Sequence, residues 1–585
     1  MQLFKHPQGN QQHQFGWPRF NLWDALALGL VIGVFVLFAQ LTKASMAHYV
    51  TLNVAPISLD PIHLPYYALR SVFRMLVAML ASLIFTFIFG TWAARSRFAE
   101  RIIIPIIDVL QSVPVLGFLP IFVVGFVALF PHNLWGIECA SIFTIFTAQV
   151  WNMTLSFYQS LCTVPTNLHE ASRVFQLSSW QRFWRIEVPF AMPGLLWNAM
   201  MSMSASWVFL VASEAISVFN TTVNLPGIGS YIALAIQKAD TNAVMYVIMT
   251  MVVVIFLYDQ LLFRPLVAWA EKFKAEDTAS QEEPYSWLME IFNRASFCRM
   301  LGKWFVLAGN AIVNVKIFRK RYRKPMATRR IFFYHHRTHQ IIWIFWNIFL
   351  IMLWLSCLLI GWHIIHTKVQ FPEILHVGYL GLVTGFRVFV LIILSSIIWV
   401  PVGVLIGLRV RVAQFVQPIL QFLAAFPANL LYPLFVIGII RYHLNVNIWV
   451  SPLMILGTQW YILFNVIAGT MSIPRDMQQA VHSMGVRGWV WWRKFILPAI
   501  FPFYITGAIT AAGGAWNMSI IAEAVSWGSI HLQATGIGAY VDQYSNDDMF
   551  RLALGVGVMT LFVVITNQVI WRPLYELAQS KYKIK

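Results

Sequence analysis

Long apolar runs set the strongest limit on what this chain can fold into. They recur at about 22–41, 67–94, 102–130, 135–160, 191–219 and 241–263, and again at about 341–361, 376–408, 413–440, 446–468, 500–525 and 551–571. A bilayer takes ~20 predominantly apolar residues per helix, and helices satisfy their own backbone there. Twelve such runs predict an all-α integral membrane protein of about 12 transmembrane helices. Composition closes the soluble alternative. Of 585 residues, 59% are hydrophobic and 11% are charged, whereas about a quarter are charged in soluble domains. Only 23 carboxylates are present, too few to solvate several soluble domains.

The net charge of +18 follows from where the cations lie. With the N-terminus cytoplasmic, Arg95, Arg97 and Arg101, then Arg173, Arg182 and Arg185, then Arg264 all fall inside, as basic loops do. Arg409, Arg411, Arg475, Arg487, Arg493 and Lys494 repeat the pattern, while 43–66 and 220–240 carry few positive charges. The basic excess is a topology signal, and no nucleic-acid partner is needed to explain it. The run at 22–41 starts too late and is too long for a signal-peptide core, so it is expected to be a retained helix. The expected division is a cytoplasmic tail over 1–21, six helices over 22–270, a cytoplasmic linker over 271–340 and six helices over 341–585. Both termini are then cytoplasmic in a bacterial plasma (inner) membrane. The linker begins acidic, turns basic at KIFRKRYRKPMATRR (316–330) and suits anionic membrane lipid. Residues 286–318 mix aromatic and charged positions as an interfacial amphipathic helix does. Four cysteines form no Cys-x-x-Cys pair, and His335, His336 and His339 sit among arginines, so no metal site is expected.

The two sets of runs are copies. Pro114 and Pro120 match Pro427 and Pro433 at a separation of 313. Pro165, Pro189, Glu214 and Gly227-Ile228-Gly229 match Pro474, Pro498, Glu523 and Gly536-Ile537-Gly538 at 309, and Arg264-Pro265 matches Arg572-Pro573 at 308. Six helices per copy is an even number, so both copies enter from the same face. The repeats are therefore parallel, with any pathway between them.

The long cytoplasmic loop after the fourth helix of each copy reads VPTNLHEASRVFQLSSWQRFWRIEVPFAMPG and IPRDMQQAVHSMGVRGWVWWRKFILPAIFPF. Each opens on a proline, offers a short helix, breaks, turns basic and aromatic, and closes on a proline suited to a helix start. A short helix lying along the membrane is a rigid body that a cytoplasmic partner could push. These loops resemble the coupling loops of ABC importer permeases, whose signature is Glu-Ala-Ala, a glycine, then Ile-x-Leu-Pro. Glu170, Ala171, Ser172, Ile186 and Pro189 fit in the first copy, with Gln176 where the glycine belongs. Ala480, Gly485, Leu497 and Pro498 fit in the second, with Gln479 in place of the glutamate. More narrowly, LQSVP…LP, Ser/Ala-Glu-Ala and Gly-Ile-Gly-x-Tyr resemble the nitrate, sulfonate and taurine branch. The resemblance implies a fused two-repeat permease carrying a small anionic solute, two cytoplasmic ATP-binding subunits that hold ATP and Mg, and an extracytoplasmic solute-binding protein.

The chain has no Gly-x-x-x-x-Gly-Lys-Ser/Thr loop, no Gly-x-Ser-x-Gly and no His-Glu-x-x-His. No catalytic residue and no cofactor of its own are expected. Glu214 and Glu523 lie in apolar surroundings, where a charge is costly. They either line the path or brace the nearby Gly-Ile-Gly backbone. Gln111, Pro114, Pro427 and Asn429, at breaks in the third helices, either kink the bundle or face the path. Asn152, Asn198 and Asn517 suit interhelical bonding. The rival reading, a secondary transporter driven by an ion gradient, needs intramembrane acids for coupling, and Glu214 and Glu523 are its symmetrical candidates.

Overall fold

The computed structural model describes residues 57–130, 134–218, 221–270, 370–545 and 547–581, together with Gln40 and scattered residues between 287 and 359. The expected helices at 22–41 and 341–361, and most of the linker, lie outside the described residues. In the first repeat the elements are α1 (Leu64–Phe85), α2 (Arg97–Ser112), α3 (Val115–Leu129), α4 (Trp135–Cys162), α5 (Thr166–Val174), α6 (Val188–Glu214), α7 (Ile228–Gln237) and α8 (Thr241–Tyr258). In the second they are α9 (Phe371–Gly407), α10 (Val410–Ala425), α11 (Tyr432–Arg441), α12 (Val446–Trp449), α13 (Ser451–Leu456), α14 (Trp460–Met471), α15 (Arg475–Ser483), α16 (Leu497–Ala522), α17 (Ile537–Tyr544) and α18 (Met549–Thr566).

Six described helices are long and apolar enough to cross a membrane, or eight if two bent pairs count as single spans. The shortfall from twelve has a physical cause besides the residues left undescribed. The run at 102–130 is split at Val113-Pro114, because proline removes an N–H and restricts the residue before it. The run at 413–440 bends by 73° at the matching Phe426-Pro427. Helix α4 is 28 residues long, but Ser141, Thr144, Gln149 and Thr154 make it polar, and all four are buried in the bundle.

The duplication extends to backbone irregularities. π-helical turns at Phe183–Glu187 and Trp492–Ile496 are 309 residues apart, and those at Asp259–Phe263 and Asn567–Trp571 are 308 apart. Each fifth helix ends in a hairpin that hydropathy does not reveal. Strand β1 (Ala215–Val218) pairs antiparallel with β2 (Thr221–Asn224), and β3 (Ala524–Trp527) pairs with β4 (Ile530–Gln533). The sequence reading carried the fifth helix of each copy through β1 and into β3.

Below each hairpin the fifth-helix carboxylate closes a buried brace. Glu214 accepts from the Gly229 N–H at 2.7 Å and from Ser71 Oγ at 2.6 Å, and Ser71 Oγ in turn accepts the Ile228 N–H at 3.0 Å. In the second repeat Glu523 accepts from Gly538 N–H at 2.7 Å and Thr384 Oγ1 at 2.8 Å, and Thr384 accepts the Ile537 N–H at 3.0 Å. The glycines are needed for the approach. A Cβ on Gly229 would stand 2.2 Å from the Val211 carbonyl oxygen, and a Cβ on Gly538 would stand 2.3 Å from that of Ser519. Arg74 Nη1 lies 2.6 Å from Glu214, and Arg387 Nη1 lies 3.0 Å from Glu523.

Beyond this shared brace the repeats diverge. Arg74 also pairs with Glu138 at 2.6 Å, and Arg70 pairs with the same carboxylate. Glu138 is therefore a third buried carboxylate, which the sequence reading did not single out. At the position 309 residues on stands Asn447, whose Oδ1 accepts from Arg387 at 3.1 Å and from the Thr535 N–H at 2.7 Å. Removing one partner of a buried pair leaves an uncompensated charge, worth about 3–5 kcal/mol. Arg74→Ala, which strands two buried carboxylates, is expected to lower the thermal midpoint of the purified chain well below that of Arg387→Ala. Equal midpoints for the two variants would contradict the unequal roles.

Candidate functional site

A cavity of about 290 Å³ lies between the two repeats, lined by α4 and α6 from one and by α14, α16 and α18 from the other. Its polar wall includes Gln111, Asn152, Thr458, Thr510, Asn517 and Asn567, and its aromatic wall includes Trp151, Tyr461, Trp516 and Trp571. No Asp, Glu, Lys, Arg or His lines it. Of the residues expected along a path, Gln111 lines the cavity and donates to Asn152 Oδ1 at 3.2 Å. Pro114 and Pro427 are not in the wall, but their neighbours Val113, Val115 and Phe426 are. Asn429 is buried at the junction of the repeats, where its amide donates to the Val208 carbonyl at 3.3 Å. Glu214 and Glu523 are fully buried in the braces and are absent from the wall.

The two repeats also meet beyond the cavity. Gly117 of α3 packs so tightly that a Cβ would stand 2.8 Å from Val556 of α18. The Gly528 N–H, at the turn between β3 and β4, donates to the Ile236 carbonyl at the end of α7 at 2.9 Å.

The cytoplasmic loops fold as short helices, α5 and α15, each preceded by the matched proline, Pro165 or Pro474. Glu170 and Ala171 lie on α5, and the Ser172 hydroxyl is turned back onto the His169 carbonyl at 2.6 Å. Gln479 and Ala480 lie on α15. Ile186 falls in the π-helical turn that leads to Pro189 at the start of α6, and Leu497 and Pro498 open α16. Large apolar side chains at the helix ends face outward: Val174 and Phe175 are 79% and 72% exposed, and Met484 is 76% exposed.

The glycine missing from the first loop has a conformational counterpart. Gln176 adopts φ +49° and Gly485 adopts φ +67°, 309 residues apart. Both end their helices by the same hydrogen bonds: Gln176 N–H to Arg173 and Leu177 N–H to Ser172, against Gly485 N–H to His482 and Val486 N–H to Val481. A side chain in this left-handed region costs ~1–2 kcal/mol, so the motif's glycine position keeps its geometry even where glycine is lost.

The loops are anchored differently. Glu187 pairs with Arg95 and Arg182, each at 2.8 Å, tying the first loop to the end of the preceding membrane helix. Ile496 takes the matching place in the second repeat and is fully buried. Asn314 of the linker accepts from Arg185 at 2.9 Å, so the linker touches the first loop. Gln176→Gly is expected to stabilise the first loop by ~1 kcal/mol. Gly485→Gln is expected to cost a similar amount, both read as slower or faster limited proteolysis within the loops.

Comparison with known proteins accounts for this duplicated architecture. The family model described as "Binding-protein-dependent transport system inner membrane component" matches twice, over residues 86–263 and 399–570. The bicarbonate transport system permease protein CmpB of Synechococcus elongatus is 27% identical over 164 residues, 28% of this chain and 56% of the relative. The nitrate import permease protein NrtB of a Synechocystis species is 28% identical over 144 residues, 25% of this chain and 50% of the relative. A putative aliphatic sulfonates permease, SsuC of Bacillus subtilis, is 25% identical over 208 residues, 35% of this chain and 70% of the relative. The chain spans about half the length of the first two of these curated relatives. Two in-register matches that together cover more than half of the sequence, on two helical repeats enclosing a cavity, place the chain in the family of binding-protein-dependent transport system inner membrane components.

Proposed function

We propose that the chain is the fused, two-repeat permease of an ATP-driven importer, with the inter-repeat cavity as part of the path of a small solute. The duplicated short helices α5 and α15, each ending in exposed apolar side chains, carry this reading. Exposed Val174, Phe175 and Met484 suit insertion into clefts of two cytoplasmic ATP-binding subunits, which hold the ATP and Mg that this chain has no loop to bind. Closure of those subunits on ATP moves α5 and α15, and the repeats rock about the axis between them. An extracytoplasmic solute-binding protein delivers the solute. The named activities of CmpB, NrtB and SsuC favour a small anion, which neutral N–H and O–H groups of the cavity would hold.

An ion-gradient transporter is less well supported. Its candidate acids, Glu214 and Glu523, are occupied by arginine, hydroxyl and backbone partners, and no acid lines the cavity. Deleting residues 170–186 is expected to abolish solute-stimulated ATP hydrolysis by the reconstituted complex while leaving the chain in the membrane. Phe175→Ser with Val174→Ser should weaken it at least tenfold. Solute uptake into proteoliposomes driven by an ion gradient without ATP would overturn the reading.

A further inference from the structure

The cavity wall holds three polar atoms that are shielded and have no partner: Trp151 Nε1, Thr458 Oγ1 and Asn517 Oδ1. Asn517 is the informative member. Its amide nitrogen donates to the Gly513 carbonyl one helical turn earlier at 3.2 Å. A carbonyl could not stand against another carbonyl, so this bond fixes which end of the side chain is oxygen, and the unpaired atom is an acceptor. Asn198 and Asn465 make the same bond to Gly194 and Tyr461, and neither leaves a buried oxygen unpartnered. The orphan therefore comes from the place of Asn517 in the wall and not from the back-bond itself.

The surroundings leave room for a ligand group. At Gly513 a Cβ would meet nothing within 4 Å, whereas at Gly514 it would collide with Thr458 at 2.4 Å. The space beside the helix is thus open at Gly513 and floored at Gly514 by the second orphan. A cavity of about 290 Å³ is near the lower end of small-molecule sites, about 300–1,000 Å³. Trp151 supplies a donor, Thr458 a hydroxyl that serves either way, and Asn517 an acceptor.

We infer that Asn517 is a specificity-determining residue of the path, selecting a small solute that carries an N–H or O–H donor as well as an acceptor group. This rests on the reading of the cavity as the path. An acceptor-only anion satisfies Trp151 and Thr458 but strands the Asn517 oxygen, and a site built for a hydrogen bond rejects ligands that cannot make it.

The test uses the full chain in lipid nanodiscs, with emission from the wall tryptophans as the signal. Two pairs of probes differ in the donor: taurine against N,N,N-trimethyltaurine, and bicarbonate against nitrate. The donor-bearing member of each pair is expected to bind about tenfold more tightly, the effect of a single hydrogen bond. Asn517→Leu should bring both ratios close to one. Equal affinities within the pairs for the unaltered chain, or ratios that survive Asn517→Leu, overturn the donor rule while leaving the cavity as the path. The absence of a saturable response to any of the four probes overturns both.

Discussion

The carboxylate at the end of each fifth helix is the contact on which the rest of the bundle depends. A charge in the membrane interior is tolerable only when it is paired and hydrogen-bonded. Glu214 and Glu523 meet that condition by drawing together three separate elements: the first described helix through Ser71 or Thr384, the same helix again through Arg74 or Arg387, and the backbone of the Gly-Ile-Gly segment. The glycines allow the backbone to come close enough for its N–H groups to reach the carboxylate. The hairpins and the short helices α7 and α17 are fixed in place by this contact, and through them the meeting of the repeats at Ile236 and Gly528.

The repeats share this brace but not its surroundings. Arg74 stands between two carboxylates and is 1% exposed, whereas Arg387 has one carboxylate and an amide and is 12% exposed. The first coupling loop is likewise held by two ion pairs at Glu187, where the second has the apolar Ile496. In both places the first repeat carries more ionic ties. A duplicated chain on a single polypeptide has no need to keep its halves identical, and here the divergence is concentrated at charged positions.

Much of this was legible in the sequence. Constant separations of 308–313 gave the duplication, and the prolines and the Glu…Gly-Ile-Gly spacing marked where each copy had to turn. Either role for Glu214 and Glu523 was open at that level, and the backbone-bracing role is the one the contacts display. Arg70, Arg74 and Glu138 escaped notice because the runs that contain them are apolar on average. Arginines four residues apart fall on one helical face, and that spacing inside an apolar run was the available signal. The hairpins escaped because four-residue strands give too short a pattern to separate from the helix they follow. The cavity wall could not be assembled either, since Gln111, Thr458 and Asn517 are far apart in the chain.

The sequence by itself determined that the chain is a helical membrane protein of two parallel copies with matched cytoplasmic loops. Hydrophobic length, basic loops and repeat spacing are local or periodic properties, and each acts through the solvent that a segment must face. Only the tertiary structure decided which carboxylates are paired and which groups enclose the space between the copies. It also decided that Gln176 is held in a glycine's conformation. Those outcomes depend on distances between residues that are remote in sequence, and buried charges and hydrogen bonds are settled by such distances.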